Sequence, residues 1–248
     1  MKKIVCFLTL FLLMAGSVFA QDAKSIVQKS DKNIRGNTSQ ATIKITVIRP
    51  KWSKEMLIKS WSQGNDYAVS LVVSPKKDKG IVFLKRKKEV WNWMPSIERT
   101  IKLPPSMMMQ SWMGTDLKND DLVKESSLVT DYTHQLLGKE VVDGKECYKI
   151  ELTPKEDASV VWGKILTWID TKDYVQLKSE FYDEDGFLVN KIHGTKIKQF
   201  GDRKLPSVIE FTNVDEPDKK TILEYVDIVF DKPIPPAYFT TRYMKRLR

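Results

Sequence analysis

The chain has 248 residues, with 41 Lys and Arg against 32 Asp and Glu for a net charge of +9, 42% hydrophobic residues and two cysteines. That apolar content excludes a disordered chain, and two cysteines exclude a disulfide scaffold, so stability has to come from one sizeable packed core. The basic balance suits anionic lipid headgroups, at about 1 kcal/mol per well-placed Lys or Arg. Lys and Glu are nonetheless interspersed, except in Lys85-Arg86-Lys87-Lys88 and the C-terminal Lys245-Arg246-Leu247-Arg248.

Residues 1–20 read as a secretory signal peptide. They have a basic start, an apolar run over 4–14, and Val18-Phe19-Ala20 before Gln21 as a small-residue cleavage site. The run is too short for a spanning helix. Residues 13–17 have the outline of a bacterial lipoprotein box, but Ser17 stands where the lipid-bearing cysteine must be and Cys6 lies too early. The expected product is periplasmic, cleaved and not lipidated, with Cys147 its one cysteine. Export also removes nucleic acid as a partner.

Residues 22–35 predict an amphipathic helix, with Ile26, Val27, Ser30 and Ile34 at helical spacing and Gly36 at its end. The period then changes from 3.6 to 2. Ala41, Ile43, Ile45 and Val47 alternate with polar residues, and 55–63 and 67–73 repeat the pattern around Gly64-Asn65-Asp66. After a polar turn over 75–80, strands are predicted at 81–86 and 89–94, with Lys85 to Lys88 at the hairpin tip.

Residues 91–114 then pack three tryptophans, five methionines and three prolines into 24 positions. The pattern predicts a strand ending at Met94, a return strand over 97–103, a stop at Pro104-Pro105, and a short helix over 106–113 closed by Gly114. Such a helix puts Met108, Met109, Trp112 and Met113 on one face. Methionine suits surfaces that accept varied apolar partners, so the segment is read either as a lid over an apolar cavity or as a plug in the core.

Residues 116–125 are polar. Strands follow at 128–134, 136–142, 146–153, 160–169, 174–182, 187–199, 205–213 and 221–230. A proline-rich stretch at 233–236 leads to a terminal helix over 238–247. About a dozen alternating strands with regular turn signals predict a barrel or a strongly curved antiparallel sheet. The strands lack the lipid-facing apolar band of a membrane barrel.

Enzyme signals are poor. His134 and His193 have no Cys, Asp or Glu at metal-ligand spacing. There is no Gly-x-Ser-x-Gly elbow and no glycine-rich phosphate loop. Cys147 lacks a neighbouring histidine. Asp120-Asp121 and Asp183 to Asp185 fall in turns or irregular segments, without the full calcium-loop pattern. Neither a catalytic set nor a cofactor or metal is expected.

Several motifs carry a resemblance. They are Arg35-Gly36-Asn37-Thr38-Ser39 after the helix, WMPSIERTIKLPPSMMMQSWMGTDLKNDDL, LLGKEVVDGKECYKIELTPK, ILTWIDTKDYVQLKSEFYDEDG and FTTRYMKRL. The chain resembles LolA-like outer-membrane lipoprotein-sorting proteins, in their uncharacterised-domain branch. The likeness spans essentially all of residues 21–248, with Gly114-Thr115-Asp116-Leu117 where the family pattern usually reads Gly-Ser-Asp-Phe. It implies a mainly β protein: an incomplete antiparallel barrel in a single domain over 21–248, with short helices as a lid over an apolar cavity. The implied activity is carriage of lipoprotein or lipid acyl chains to the outer membrane, without covalent chemistry. A sixteen-carbon chain costs about 0.8 kcal/mol per methylene in water, so its shield is worth roughly 12 kcal/mol. The candidate lining is Trp91, Trp93, Met94, Met107, Met108, Met109, Trp112 and Met113, with Trp61, Trp162 and Trp168 as weaker candidates. Expected partners are the acyl cargo, an inner-membrane transporter of ABC or RND type, and transient contact with a membrane surface. Two other readings stand beside this one: a docking subunit of such a transporter, and a hydrolase of envelope lipids.

Overall fold

The computed structural model describes residues 17–87, 89–107, 110–119, 128–156, 158 and 160–247. Helix α1 (Ser17–Arg35) is followed by six strands: β1 (Thr38–Arg49), β2 (Trp52–Gln63), β3 (Tyr67–Ser74), β4 (Val82–Arg86), β5 (Glu89–Met94) and β6 (Arg99–Lys102). A 3-10 turn over Pro105–Met107 comes next. Seven more strands are β7 (Tyr132–Val142), β8 (Lys145–Pro154), β9 (Lys164–Asp170), β10 (Gln176–Tyr182), β11 (Leu188–Phe200), β12 (Arg203–Asn213) and β13 (Lys220–Phe230). The chain ends in a 3-10 turn (Pro236–Phe239) and the short α2 (Thr241–Met244).

The thirteen strands form one antiparallel sheet ordered β6-β5-β4-β3-β2-β1-β13-β12-β11-β10-β9-β8-β7. It is two meanders joined at their outer ends in sequence: β1 pairs with β13, as at Ile45 opposite Leu223. The free edges are β6 and β7, so the barrel is incomplete.

Alternation sorts the side chains onto two faces. The inner face runs unbroken from Phe83, Val72, Ile58 and Ile45 through Leu223, Phe211 and Ile192 to Phe181, Ile165 and Leu152, as the register requires. At its far end α1 lays Ala23, Ile26 and Val27 on Tyr132, Ile150, Leu152, Ile165 and Ile169. Gly36 closes α1 at φ +64 with its N–H on the Lys32 carbonyl at 3.0 Å, and a Cβ there would meet Arg203 Nη1 at 2.7 Å. The outer face of β3–β5 is covered by the C-terminal segment, where Ile234, Phe239 and Met244 pack on Val69, Leu71, Val82 and Leu84.

Strand direction divides the connections between two ends. The rim carries those around residues 50, 75–81, 95–98, 155–163, 183–187 and 214–219; the opposite end carries the short turns at 64–66, 143–144, 171–175 and 201–202. The sequence reading differs from this structure in four places. The strands number thirteen. Residues 132–142 form one strand with a bulge between Leu136 and Gly138. The terminal helix shrinks to a 3-10 turn and α2, which Thr240 caps by accepting from the Tyr243 N–H. Finally, of the described residues in 106–113 only Ser106 and Met107 are helical, in the 3-10 turn.

Candidate functional site

The segment after β6 crosses the inner face from the turn end to the rim. It begins with the 3-10 turn Pro105–Met107 and then folds back on itself, with Ser111 and Lys118 in an antiparallel bridge. Two features rule out a continued helix. Met113 (φ 55) and Gly114 (φ 81) are consecutive left-handed residues. Polar side chains also capture the backbone: Thr115 Oγ1 donates to the Trp112 carbonyl at 2.6 Å, and Asn119 Nδ2 to the Met107 carbonyl at 3.0 Å. This compact turn occupies the place that the sequence reading gives to a lid.

Trp112 is its anchor. The indole is 5% exposed and lies among Ile45, Val47, Met56, Ile58 and Val72, edge-on to Phe83 at 5.4 Å and 68°. Its N–H finds no acceptor among the described residues, which costs about 1–3 kcal/mol against the gain from burying the ring. The tip of the lid is clasped to the middle of the sheet. Arg49 Nη1 donates to Asp116 Oδ2 at 3.1 Å, and Nη2 lies 3.1 Å from Oδ1 and donates to the Gly114 carbonyl at 2.9 Å. The Asp116 N–H donates to Thr221 Oγ1 at 2.9 Å. This two-pronged, mostly buried pair is the strong kind of charged hydrogen bond.

Beside the lid, near the rim, lies a cavity of about 200 Å³. The lid supplies Asp116 and Leu117 to its wall. The sheet supplies Phe181, Asn190, Lys191, Ile192, Phe211 and Thr212, and the β8–β9 connection supplies Trp162. Trp162 and Phe181 meet at 5.3 Å. Leu117 both lines this cavity and packs on the Trp112 cluster, so displacing the lid would join the two apolar compartments. Small-molecule sites usually enclose about 300–1,000 Å³. At about 200 Å³ the cavity lies below that range.

The sequence candidates divide between the two faces. Trp112 and Met113 pack in the lid cluster, Met94 ends β5 with inward parity, and Met107 lends its carbonyl to Asn119. Met108 and Met109 lie outside the described residues. Trp91 and Trp93 point to the outer face, under the C-terminal segment, with Lys102 and Lys245 over their rings at 5.7 and 5.3 Å. Trp61 is also outward, edge-on to Tyr238 at 5.6 Å. Trp168 is outward and 3% exposed. Of the weaker candidates, only Trp162 reaches the cavity. Sequence reasoning missed Arg49, Leu117, Phe181, Ile192 and Phe211. The last three carried only the inward parity shared by every core position of their strands.

The titratable groups offer little chemistry. Burial, then Asp170, pushes the Cys147 thiol up to about 11, far from a reactive thiolate. Burial also lowers His134, whose Nε2 lies 2.6 Å from the Leu128 carbonyl oxygen. His193 pairs with Asp143 at 2.7 Å on the surface. Among the described residues, no three His, Cys, Asp or Glu side chains are grouped to hold a metal ion. No helix among them is long and apolar enough to cross a membrane.

Comparison with known proteins fits this architecture. The chain belongs to the family whose profile, described as that of an uncharacterized protein, matches residues 64–246. No curated protein matches it in sequence. Among solved structures it is similar to a domain named for outer membrane lipoprotein sorting from Vibrio parahaemolyticus, at TM-score 0.79 and 22% identity over 92% of this chain and 100% of that one. It is also similar to a DUF1329 family protein from Desulfovibrio piger, at 0.81 and 20% over 91% and 99%. A LolA superfamily protein from Nitrosomonas europaea matches at 0.73 and 25% over 92% and 100%. The fold is that of the LolA superfamily, an open antiparallel half-barrel.

Proposed function

We propose that this protein is a periplasmic carrier that shields the acyl chains of a lipoprotein or lipid on its inner face, on the way to the outer membrane, without covalent chemistry. Leu117 carries the reading, because the wall of the cavity is the lid itself. With the lid closed, Trp112 fills the space between Ile45 and Phe83. With it displaced, an apolar trough would open from there to Phe211 and Ile192. An entering chain replaces the buried surface of the lid with its own, at about 0.8 kcal/mol per methylene, so loading and lid opening are one exchange. Trp112, Met113 and Met107 form the cargo side of the lid and Met94 the β5 edge beside it, with Trp162, Phe181, Ile192 and Phe211 opposite; Met108 and Met109 remain candidates from the sequence. Trp91 and Trp93 support this from behind by holding the C-terminal segment. Residues 1–20 serve as the removable export signal, residues 21–248 as one carrier domain, and an inner-membrane transporter of ABC or RND type as the source of cargo.

The test is mass spectrometry of the protein purified from periplasm without detergent. Diacyl lipid or an acylated peptide at near one-to-one stoichiometry is expected, and should be lost in Phe211→Asp with the fold retained by circular dichroism. A clean apo protein that takes up no fluorescent fatty acid would replace the carrier reading with that of a transporter docking subunit.

A further inference from the structure

Ten large hydrophobic side chains are exposed among the described residues, and five of them stand at the rim, on or directly beside five different connections: Trp52, Ile97, Val161, Phe187 and Val214. The other five lie within strands β6, β7 and β13. None lies in the turns of the opposite end, which read Gly64-Asn65-Asp66, Arg86-Lys87 between β4 and β5, Asp143-Gly144, Thr171-Lys172-Asp173 and Gly201-Asp202. Polar turn-formers are what water-facing tips ordinarily carry. The opposite end obeys that rule, so the rim is an exception within the same molecule.

Charge divides the rim. The β1–β2, β3–β4 and β5–β6 connections expose Lys51, Lys76, Lys77, Lys79 and Arg99 beside Trp52 and Ile97. The β10–β11 and β12–β13 connections set Phe187 and Val214 among Asp183, Glu184, Asp185, Asp215, Glu216 and Asp218. The first two are basic on balance, the third sets Glu98 against Arg99, and the three form one strip. Lys54 Nζ lies 2.8 Å from Asp78 Oδ2, joining the first to the second. A Cβ on Gly80 would come within 3.3 Å of Pro95 Cγ, which shows how closely the second approaches the third.

We propose that this strip docks the protein on an anionic bilayer surface. Trp52 and Ile97 enter the headgroup layer, the lysines and Arg99 meet lipid phosphates, and the acidic side of the rim is held off. One apolar residue per tip, spaced around a rim, suits a fluid lipid surface that moulds to each. Trp beside lysines is the composition that settles at a membrane interface. The docking sets the rim of the first six strands against the leaflet, beside the connections of β10–β13 that border the cavity. It rests on the carrier reading for its purpose, but the contact itself needs no cargo.

Vesicle flotation tests it, using the full chain as recovered from expressing cells so that every variant shares one N-terminal segment. Vesicles of phosphatidylglycerol and phosphatidylethanolamine are compared with vesicles of phosphatidylcholine. Binding to the anionic vesicles is expected to be about tenfold or more the stronger, and to be lost at about 0.5 M salt. It should fall about tenfold in Trp52→Gln/Ile97→Ser and stay unchanged in Phe187→Ser. The proposal is overturned by a wild type that does not float, by a double variant that floats equally, or by loss in Phe187→Ser alone. If the double variant loses its fold by circular dichroism, Lys76→Glu/Lys77→Glu carries the same expectation. Fatty-acid uptake without vesicles separates the two readings. Flotation without uptake removes the carrier and leaves the docking, and uptake without flotation does the reverse.

Discussion

Trp112 and Trp168 are almost equally buried, at 5% and 3% exposure, yet they are held in opposite ways. Trp168, on the outer face, donates its indole N–H to Glu140 Oε2 at 2.7 Å, and Lys178 and Lys149 stand over its ring at 4.3 and 5.2 Å. Trp112, on the inner face, has apolar neighbours only and an unsatisfied N–H. The outer tryptophan is satisfied by every group it meets. The inner one is retained by shape alone, on a turn fastened at one clasp. On the carrier reading proposed above Trp112 leaves its pocket, and its departure returns the N–H to solvent, which offsets part of the lost packing.

The largest expected effect that breaks this contrast is Trp168→Ala. It should cost about 3–5 kcal/mol in urea unfolding and leave fatty-acid uptake untouched. Trp112→Ala should cost less, because it also removes an orphaned donor, and should speed uptake; equal losses would erase the distinction. Next is Arg49→Met, which leaves the Asp116 carboxylate at the lid tip without its cation. Fully buried pairs cost about 3–5 kcal/mol when broken, but these side chains are 12% and 17% exposed, so about 2 kcal/mol is expected, with faster uptake. Unchanged uptake there would show that the clasp does not govern the lid.

Smaller effects sharpen the comparison. Trp168→Phe should lose about 1.5–3 kcal/mol with its hydrogen bond to a carboxylate, whereas Trp112→Phe should stay within about 1 kcal/mol of wild type or gain. The smallest effect is a titration. The Lys149 ammonium, then the Trp168 N–H, holds Glu140 below its ordinary 4.5. Its stabilising effect is therefore complete above that value and is lost as pH falls below it towards the folded pKa. The Trp168 indole N–H resonance should move as pH falls below 4.5, the Trp112 resonance should not, and Glu140→Gln should abolish the movement.

The strands were legible because alternation is local: Ile43, Ile45 and Val47 show their parity without knowledge of the fold. The pairing of β1 with β13 was not, since it joins residues at opposite ends of the sequence. Parity placed Trp91 and Trp93 together but could not say which face carries cargo. On the outer face Ile234, Phe239 and Met244 arrive from the C-terminus to cover them. The lid was visible as a composition and misread as a helix, because the left-handed pair Met113-Gly114 and the backbone-capturing Thr115 outweigh a helical spacing of methionines. Arg49 gave no signal at all, since an arginine at a strand end is ordinary until Asp116 arrives beside it.

The β1–β13 pairing has a consequence for assembly. Ser39 pairs with Phe230 and Ile48 with Lys220, so the central seam of the sheet closes only when nearly the whole chain has been made. Until then β1 presents an unpaired edge, open to pairing with another chain. Contacts so distant in sequence close slowly. A chain released from N- to C-terminus must therefore stay unaggregated with its first six strands waiting for the last, and a truncation before residue 220 would leave the sheet as two separate halves.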